Sequence, residues 1–300
     1  MTENLNNVPS HDAQLAVTKP AVAALRERLP TNLDVDADLL FDLAAGQIIG
    51  RYFGCRLASV FQPIVRLADR ATLGYEAFVR SHHSQFGGLS PWNLFAQQAA
   101  DGDLVRLDRL CRTLHTLNFF DQQHIAGDLY LNVHGRLLLA VLHDHGQAFQ
   151  QILQSLQISP EQIVLELPQA DIADYSMYAT VTQNYHRYGF RVALNVRDAR
   201  QIDPLRTLVQ PDVIKIDAQF ARITPSLREA LDTAKLAGMV TIATHIENAA
   251  RLQAWESTGV TAVQGHWLGV PYPQPKPYAQ QSQLTSSAPS DFPYPLGLAS

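Results

Sequence analysis

The sequence predicts an α/β protein whose main domain is a modified TIM (β/α)8 barrel. From Ser59 onward, eight short apolar runs rich in Val, Ile and Leu alternate with longer segments of helical periodicity. Such alternation is typical of a mainly parallel sheet whose strands are connected by helices. Polar residues lie near the ends of these runs. A barrel of this type has roughly 250 residues and fits within the chain of 300 residues.

The eight predicted strands read, in chain order, SVFQPIV, LGYEAFV, LYLNV, IVLEL, RVALNV, DVIKI, VTIAT and TAVQ. Two of the linking helices carry clear end signals. Ser90 followed by Pro91 predicts a helix start, and Pro225 opens a helical pattern that ends before Gly238. Eight strands with linking helices predict a closed barrel domain, which we assign to residues 57–273.

Further segments flank this predicted domain. Residues 1–20 are polar and lack periodicity, so we expect a disordered tail. Apolar periodicity over residues 21–29 and 36–53 predicts a helical lead-in, residues 21–56, that packs on the barrel. The last thirty residues hold seven of the 17 prolines, which predicts a second disordered tail over residues 274–300.

Composition and charge exclude several classes of protein. Hydrophobic residues make up 46% of the chain, enough for a sizeable core, and a net charge of -5 leaves no broad basic surface for duplex DNA. Asp42 and Gln47 interrupt the longest apolar stretch, which falls short of the roughly 20 residues of a membrane span. The amino terminus lacks the features of a secretory signal, and neither Cys55 nor Cys111 lies in a CxxC motif. We therefore expect a cytoplasmic protein without a membrane segment.

Seven polar residues mark where the predicted strands end. They are Glu76, Asn132, Glu166, Asn195, Lys215, Thr244 and Gln264, each within or at the carboxyl end of a different apolar run. In a barrel of this type the carboxyl ends of the strands meet at one rim, where the active sites lie. A single strand can turn polar simply because it leaves the core, but the repetition on successive strands favours a shared site.

Several motifs, taken in order and spacing, resemble the EAL domain family over residues 59–273. FQPIV (61–65) is similar to the family's YQPIV strand, and GYEAFVR (74–80) keeps Glu76 and Arg80 of the name-giving motif with Phe78 in place of its leucine. LNVH supplies Asn132, LEL supplies Glu166, and VIKID (213–217) is intact. VQGHWLGVPYP retains Gln264, Gly265, Gly269 and Pro271 of the closing segment.

The resemblance implies a phosphodiesterase that hydrolyses cyclic di-GMP with water activated between two Mg²⁺ or Mn²⁺ ions. Such ions need oxygen ligands, preferably charged ones. Asn195 stands where the family has the aspartate that bridges both metals, and its neighbour is Val196. Thr244 replaces a glutamate on the metal and water side, while Pro168 and Gln169 replace a Thr-Glu pair.

These losses predict a catalytically inactive member of the family. Glu76, Asn132, Glu166 and Lys215 are remnants of the site, and the first three offer at most a weak metal site. We expect no cofactor, with Mg²⁺ or Mn²⁺ relevant only to residual activity. Two opposite unit charges about 4 Å apart attract each other by about 4 kcal/mol at an effective dielectric near 20. Each 1.36 kcal/mol lost from the transition state lowers the rate about tenfold. Hydrolysis is therefore expected to fall to background.

Two functions remain, and the sequence does not choose between them. The first is a cyclic di-GMP receptor that needs no metal, because fewer acids repel the ligand and Arg197 adds a cation near Arg80 and Lys215. The second is a nucleotide-independent regulator that binds a protein partner, since Asp198 and His245 replace glycines and could fill the pocket. A homodimer is possible in either case. The predicted ligand-binding residues are Gln62, Glu76, Phe78, Arg80, Asn132, Asn195, Arg197, Lys215, Asp217 and Gln264.

Overall fold

Ten strands form a single sheet, and eight of them close into a barrel. The structure, a computed structural model, describes residues 39–42, 47–83, 101–120, 125–140, 146–169 and 174–278. The strands are β1 Leu39–Asp42, β2 Gln47–Tyr52, β3 Cys55–Arg66, β4 Thr72–His83, β5 Asp128–Asn132, β6 Ile163–Leu167, β7 Arg191–Val196, β8 Val213–Asp217, β9 Val240–Thr244 and β10 Ala262–Val263. Their order is β1-β2-β3-β10-β9-β8-β7-β6-β5-β4, and pairing of β3 with β4 closes the barrel.

The barrel is mainly parallel, as the sequence predicts. Strands β4 to β10 run parallel to one another. Strand β3 is the exception, because it is antiparallel to both of its barrel neighbours, β4 and β10. All eight apolar runs form the barrel strands, so the predicted fold class is confirmed.

Six helices of the described residues accompany the strands. They are α1 Asp101–Phe120, α2 Gly135–Ala140, α3 Gln147–Ser155, α4 Tyr175–Arg187, α5 Pro225–Leu236 and α6 Ala249–Glu256, with short helical turns at Pro160–Gln162, Ala199–Gln201, Ile202–Pro204 and Leu205–Val209. Helix α5 has the predicted bounds: Thr224 caps it by accepting a hydrogen bond from the Leu227 N–H at 3.2 Å. Gly238 follows with φ +79°, a conformation that favours glycine. The helix predicted at Ser90 and Pro91 lies outside the described residues.

The helix predicted over residues 36–53 is wrong, because strands β1 and β2 occupy this segment. They form an antiparallel pair, and β2 continues into β3 through the two-residue turn Phe53–Gly54. Both turn residues have positive φ, 45° and 75°, which matches the primed turns whose twist suits a hairpin. Ile48 and Ile49, with Tyr52, also favour a strand. Residues 21–29 and the first twenty residues lie outside the described part of the chain.

The alternation of side chains along each barrel strand places the polar residues inside the barrel. Seven buried apolar residues fill its interior: Ile64, Tyr130, Val164, Ala193, Val213, Ile242 and Ala262. Because successive side chains point to opposite faces, residues two positions further on face the same interior. Glu166 follows Val164 in this way, Lys215 follows Val213, and Gln264 follows Ala262. The larger apolar cluster packs between the strands and the surrounding helices.

Packed structure continues slightly beyond the boundary predicted at residue 273. The Tyr278 backbone N–H donates a hydrogen bond to Thr72 Oγ1 at 3.0 Å, and Pro275 is buried. Residues 274–278 are therefore part of the folded domain, and the rest of the predicted tail lies outside the described residues. Within the segments that the structure describes, no helix combines the length and apolar character needed to cross a membrane.

Candidate functional site

A cavity of about 400 Å³ lies at the carboxyl ends of the barrel strands. Its lining residues are Gln62, Glu76, Phe78, Arg80, Glu166, Asn195, Lys215, Thr244, His245, Glu247, Gln264, Gly265, His266, Val270 and Pro271. Seven of the ten predicted ligand-binding residues are among them, and they come from five different strands or strand ends. The structure therefore brings together residues that are up to 202 positions apart, as in the contact between Gln62 and Gln264.

A lysine between two glutamates forms the floor of this cavity. Lys215 Nζ donates to Glu76 Oε2 and to Glu166 Oε2, both at 2.6 Å. All three side chains are almost fully buried, with exposed side-chain fractions of 2%, 8% and 6%. The alternation of β4, β6 and β8 turns these residues inward at the same height of the barrel. We call Glu76, Glu166 and Lys215 the ion triad.

Side-chain amides satisfy the remaining acceptors of the ion triad. Asn132 Nδ2 donates to Glu76 Oε1 at 2.8 Å, and Asn195 Nδ2 donates to Glu166 Oε1 at 2.9 Å. Gln264 Nε2 donates to Glu76 Oε2 at 2.9 Å. All four carboxylate oxygens of the triad therefore accept at least one hydrogen bond from the protein itself.

Burial and mutual contact shift the ionisation of the triad. Burial opposes the charged form of Lys215, but the two carboxylates outweigh it and raise its pKa. Burial also opposes ionisation of Glu76, yet Lys215 and the amide donors hold the pKa of this carboxyl below its usual value. Burial and the charge of Glu76 raise the pKa of Glu166, which has fewer donors. The pKa shifts of the two carboxyls therefore have opposite directions, lowered for Glu76 and raised for Glu166.

This arrangement suits an internal cation better than a divalent metal. Metal ions such as Mg²⁺ and Mn²⁺ require free oxygen ligands, whereas every carboxylate oxygen of the triad faces a nitrogen donor of the protein. Asn132 and Asn195 turn their Nδ2 groups toward the carboxylates, as the hydrogen bonds require. Among the described residues no group of three or more His, Cys, Asp or Glu side chains is arranged to hold a metal. The donor set therefore does not fit a two-metal centre.

Arg80 and Gln264 contribute polar atoms without partners to the cavity wall. Within the described residues Arg80 Nε has no hydrogen-bond partner, and its Nη1 donates only to the Val79 carbonyl at 3.2 Å. Burial lowers the pKa of the guanidinium, and its carbon lies 5.7 Å from the Phe78 ring centroid. Gln264 Oε1 is a buried acceptor that also lacks a partner there. Unpaired buried groups of this kind are costly unless a ligand or water satisfies them.

Two histidine–carboxylate pairs stand at the mouth of the cavity. His245 Nδ1 lies 3.1 Å from Asp217 Oδ1, and His266 Nδ1 lies 3.1 Å from Glu247 Oε2. The imidazoles are about half exposed, and each carboxylate is less exposed than its histidine. His245 has φ +59°, a left-handed conformation that favours glycine.

The other predicted residues lie outside the cavity lining. Arg197 is exposed and its guanidinium carbon lies over the Phe220 ring, 4.6 Å from the centroid, so it adds no cation to the cavity wall. Asp217 faces His245, and Asn132 contacts the cavity only through Glu76. Val196 is buried in the apolar layer under the helices, while Gln169 is exposed on the surface.

Sequence reasoning missed three polar lining residues, His245, Glu247 and His266, as ligand-binding candidates. They follow strands β9 and β10, where the chain leaves the barrel, and their position just after a predicted strand was the available signal. His245 was considered only as a bulky replacement for glycine. The segment after β10 also contributes Gly265, at which a side chain would collide with the Ile246 backbone.

Comparison with protein families gives one match that covers most of the chain. Residues 53–271 match the model of the EAL domain. The chain is 26% identical over 218 residues to the probable cyclic di-GMP phosphodiesterase PdeB of Escherichia coli (strain K12). This match covers 69% of the chain and 41% of PdeB. The chain thus spans about two fifths of the length of this relative.

Solved structures share the fold at low sequence identity. The Bacillus subtilis YkuI protein, with an EAL domain in complex with c-di-GMP and calcium, matches with a TM-score of 0.59 and 22% identity, covering 77% of this chain and 58% of YkuI. The FimX EAL domain of Pseudomonas aeruginosa bound to c-di-GMP matches with a TM-score of 0.59 and 18% identity, covering 85% of this chain and 97% of that one. Both similarities support the barrel architecture.

Proposed function

Because the chain belongs to the EAL domain family, we propose that it acts in cyclic di-GMP signalling as a receptor that binds the dinucleotide without hydrolysing it. The family model covers residues 53–271, which include every residue that lines the cavity. Solved relatives that share this barrel hold c-di-GMP. Fold alone does not decide between hydrolysis and binding, so the proposal depends on the chemistry of the site.

The observation that carries the proposal is the ion triad. Lys215 Nζ lies 2.6 Å from carboxylate oxygens of both Glu76 and Glu166, where its ammonium neutralises charge that a metal would otherwise neutralise. Hydrolysis through a metal-bound water would require these carboxylates to exchange an ammonium and three amide donors for a dication. Asn195 and Thr244 provide no additional negative charge that could favour such an exchange.

The cavity wall supports binding of an anionic ligand. Arg80 lines the cavity with an unpartnered Nε, and its charge is not offset by a carboxylate among the described residues. A guanidinium in this state can make charge-assisted hydrogen bonds to a phosphate. Phe78, which also lines the cavity, offers an aromatic surface, and Gln62 and Gln264 offer amides that can recognise polar groups of a base.

A second candidate function is a regulator that binds a protein partner independently of nucleotide. The observation in its favour is the exposure of large apolar side chains near the cavity: Trp267 is 51% and Val270 47% exposed, and both lie in the segment after β10. Exposed aromatic residues are common at protein interfaces. In this case the side chains at the cavity mouth would bind no nucleotide. The partner would contact the outer surface of the barrel.

The two functions and the residual enzyme make different predictions for the same mixture. Purified protein is incubated with cyclic di-GMP and either Mn²⁺ or Mg²⁺, and the nucleotide products are separated by chromatography while binding is measured on a parallel sample. We expect saturable binding and no linear pGpG above a protein-free control. Multiple turnover would refute the proposed inactivity, and a folded protein that binds nothing would instead support the protein-interaction regulator.

A further inference from the structure

A row of basic residues crosses the sheet just beyond the cavity. In the antiparallel pairing of β2, β3 and β4, Arg51 lies opposite Arg56, and Arg56 lies opposite His82. Residues directly opposite one another in an antiparallel sheet point to the same face, with Cβ atoms about 5 Å apart. Arg51 is exposed, and the other two are half-buried. We call these three residues the basic row.

The basic row lies on the same face of the sheet as the cavity lining. Along β4, Phe78 and Arg80 line the cavity, and His82 shares their face because it follows Arg80 by two residues. Across the sheet, Arg56 is the diagonal neighbour of Arg80, since Ala58 lies opposite Arg80. Diagonal neighbours are about 7–8 Å apart, within reach of long side chains. The basic row therefore extends the cationic wall that Arg80 begins.

The opposite face of β2 is turned toward helix α1. Tyr52 Oη donates a hydrogen bond to the Asp103 carbonyl at 2.7 Å, and a Cβ added at Gly50 would lie 3.5 Å from Leu110. Arg51 stands between these two residues of β2, so alternation points it away from α1. Like charges opposite one another destabilise a sheet, so the two arginines of the row favour an acidic neighbour on this face.

The chain that leads into β1 carries an acid at every second position. Residues 33–38 read LDVDAD, in which Asp34, Asp36 and Asp38 alternate with apolar residues. Such alternation is typical of a strand with one polar and one apolar face. These residues lie outside the described part of the chain, directly before Leu39, where β1 begins. We call residues 34–38 the acidic segment.

The register of β1 and β2 directs the acidic segment to the basic row. Leu39 lies opposite Gly50 in this antiparallel pair. One position further along the same register, Asp38 comes opposite Arg51, and Asp36 becomes the diagonal neighbour of this arginine. The charges of the two sets are opposite, and the chain needs no linker to bring them together.

We propose that the acidic segment of the same chain occupies the basic row by extending the pairing of β1 with β2. Its aspartates would neutralise the arginines, and its apolar residues would face α1. Because the basic row continues the wall from Arg80, the docked acids would weaken the positive potential that an anion meets at the cavity. The docking does not depend on the receptor function proposed above, whereas its effect on affinity does.

Charge reversal in the full chain tests the docking. Asp38→Arg and Arg51→Asp each place like charges opposite one another, so each should lower the Tm by about 1–3 °C in low salt, where screening is weakest. The double variant restores an opposite pair and should recover at least half of the combined loss. Asp12→Arg is the matched control, because combined with Arg51→Asp it should recover nothing. Losses that simply add in the Asp38→Arg/Arg51→Asp variant would overturn the proposal.

A second copy of the chain is the alternative occupant of the basic row. The two single variants, Asp38→Arg and Arg51→Asp, are mixed in equal amounts, because a contact between two chains would restore opposite charges in the mixture. We expect the mixture to keep the low Tm values and the sedimentation coefficients of the separate variants. Recovery of the Tm together with a heavier species would overturn the assignment to the same chain.

Neutral variants test the effect on the ligand. Asp36→Asn/Asp38→Asn should strengthen cyclic di-GMP binding about two- to fivefold in low salt, and the gain should shrink at about 0.5 M salt. Glu3→Gln/Asp12→Asn, which removes two acids outside the acidic segment, should leave the affinity unchanged. An equal gain in both double variants would overturn the competition. If no variant binds cyclic di-GMP while the charge swap recovers the Tm, the receptor function fails and the docking stands.

Discussion

The floor and the mouth of the cavity differ in how fully their polar groups are satisfied. On the floor, Glu76 and Glu166 accept hydrogen bonds from Lys215 and from side-chain amides at all four carboxylate oxygens. Toward the mouth, Arg80 Nε lacks a partner among the described residues, and His245 and His266 are half exposed. The floor is complete without a ligand, whereas toward the mouth a buried donor has no partner among the described residues and two imidazoles are exposed.

Under the proposed receptor function, this difference would account for binding without hydrolysis. A catalytic floor must hold carboxylates ready for metal ions, at the expense of repulsion between them. The ion triad removes that repulsion by placing an ammonium between two carboxylates. Among the described residues that line the cavity, Arg80 is then a cation without a carboxylate partner, and we propose that it contacts an anion.

The largest effect is expected from removal of the cation of the ion triad. Lys215→Met should destabilise the protein by about 3–5 kcal/mol near pH 7, because it leaves two buried carboxylates without their counter-ion. Urea denaturation measures this loss. Mn²⁺ should raise the Tm of the variant and leave that of the natural chain unchanged, since only the variant has two unpaired carboxylates. A variant as stable as the natural chain would show that the triad is not the source of the floor's stability.

The next largest effect concerns the wall. Arg80→Ala should weaken cyclic di-GMP binding by about 1.5–3 kcal/mol, roughly ten- to a hundredfold, if the guanidinium makes a charge-assisted bond to phosphate. Arg197→Ala is the matched control, because this arginine lies over Phe220 outside the cavity lining and should leave the affinity unchanged. Equal losses in the two variants would indicate general electrostatic attraction in place of a specific site.

A carboxylate added to the floor should leave the polar groups there less completely hydrogen-bonded and so destabilise the protein. Asn195→Asp replaces a donor to Glu166 Oε1 at 2.9 Å with a second acceptor, so we expect a loss of about 1–3 kcal/mol at pH 7. The repulsion raises the folded-state pKa of the carboxyl pair above its unfolded value. The loss is therefore absent below the unfolded pKa and grows as the pH rises. Denaturation midpoints from pH 4 to pH 8 measure it, and a loss independent of pH would contradict the charge argument.

The smallest effect belongs to a histidine pair remote from the cavity lining. The hydrogen bond to Asp212 raises the pKa of His186 above its ordinary value of 6.5. Its contribution to stability is thus fully present below pH 6.5 and is lost as the pH rises through the raised folded-state pKa. Because the pair is about one third exposed, we expect about 0.5 kcal/mol or less. The free energy of unfolding of the natural chain and of His186→Gln is compared at pH 5.5 and pH 9. We expect the variant to lose more stability at pH 5.5, and a larger loss at pH 9 would contradict the prediction.

The barrel was predictable because its strands carry a local signal. Each apolar run contains β-branched residues and carries a polar residue within it or at its carboxyl end, and most runs are followed by a helical pattern; these features depend on short stretches of chain. The inward position of Glu166 and Lys215 follows from the same alternation, two residues after Val164 and Val213. The resemblance to EAL domains then allowed the remaining site residues to be assigned one by one.

The errors came from features that depend on distant parts of the chain. Leucines between residues 39 and 43 fit a helical face, and the pairing of β1 with β2 and of β2 with β3 decides for strands. Arg197 was expected to add charge to the cavity, but its guanidinium lies over Phe220. Likewise, no local pattern shows that Lys215 bridges Glu76, 139 positions away, and Glu166.

The central claim, that the floor needs no metal while the mouth binds an anion, is tested most directly by one titration. Purified protein is titrated with cyclic di-GMP by calorimetry, once in a chelator and once with excess Mn²⁺. The account predicts the same affinity in both, because Lys215 already neutralises the carboxylates that a metal would bind. Binding that disappears in the chelator would contradict it and would show that the glutamates release Lys215 to hold a metal ion.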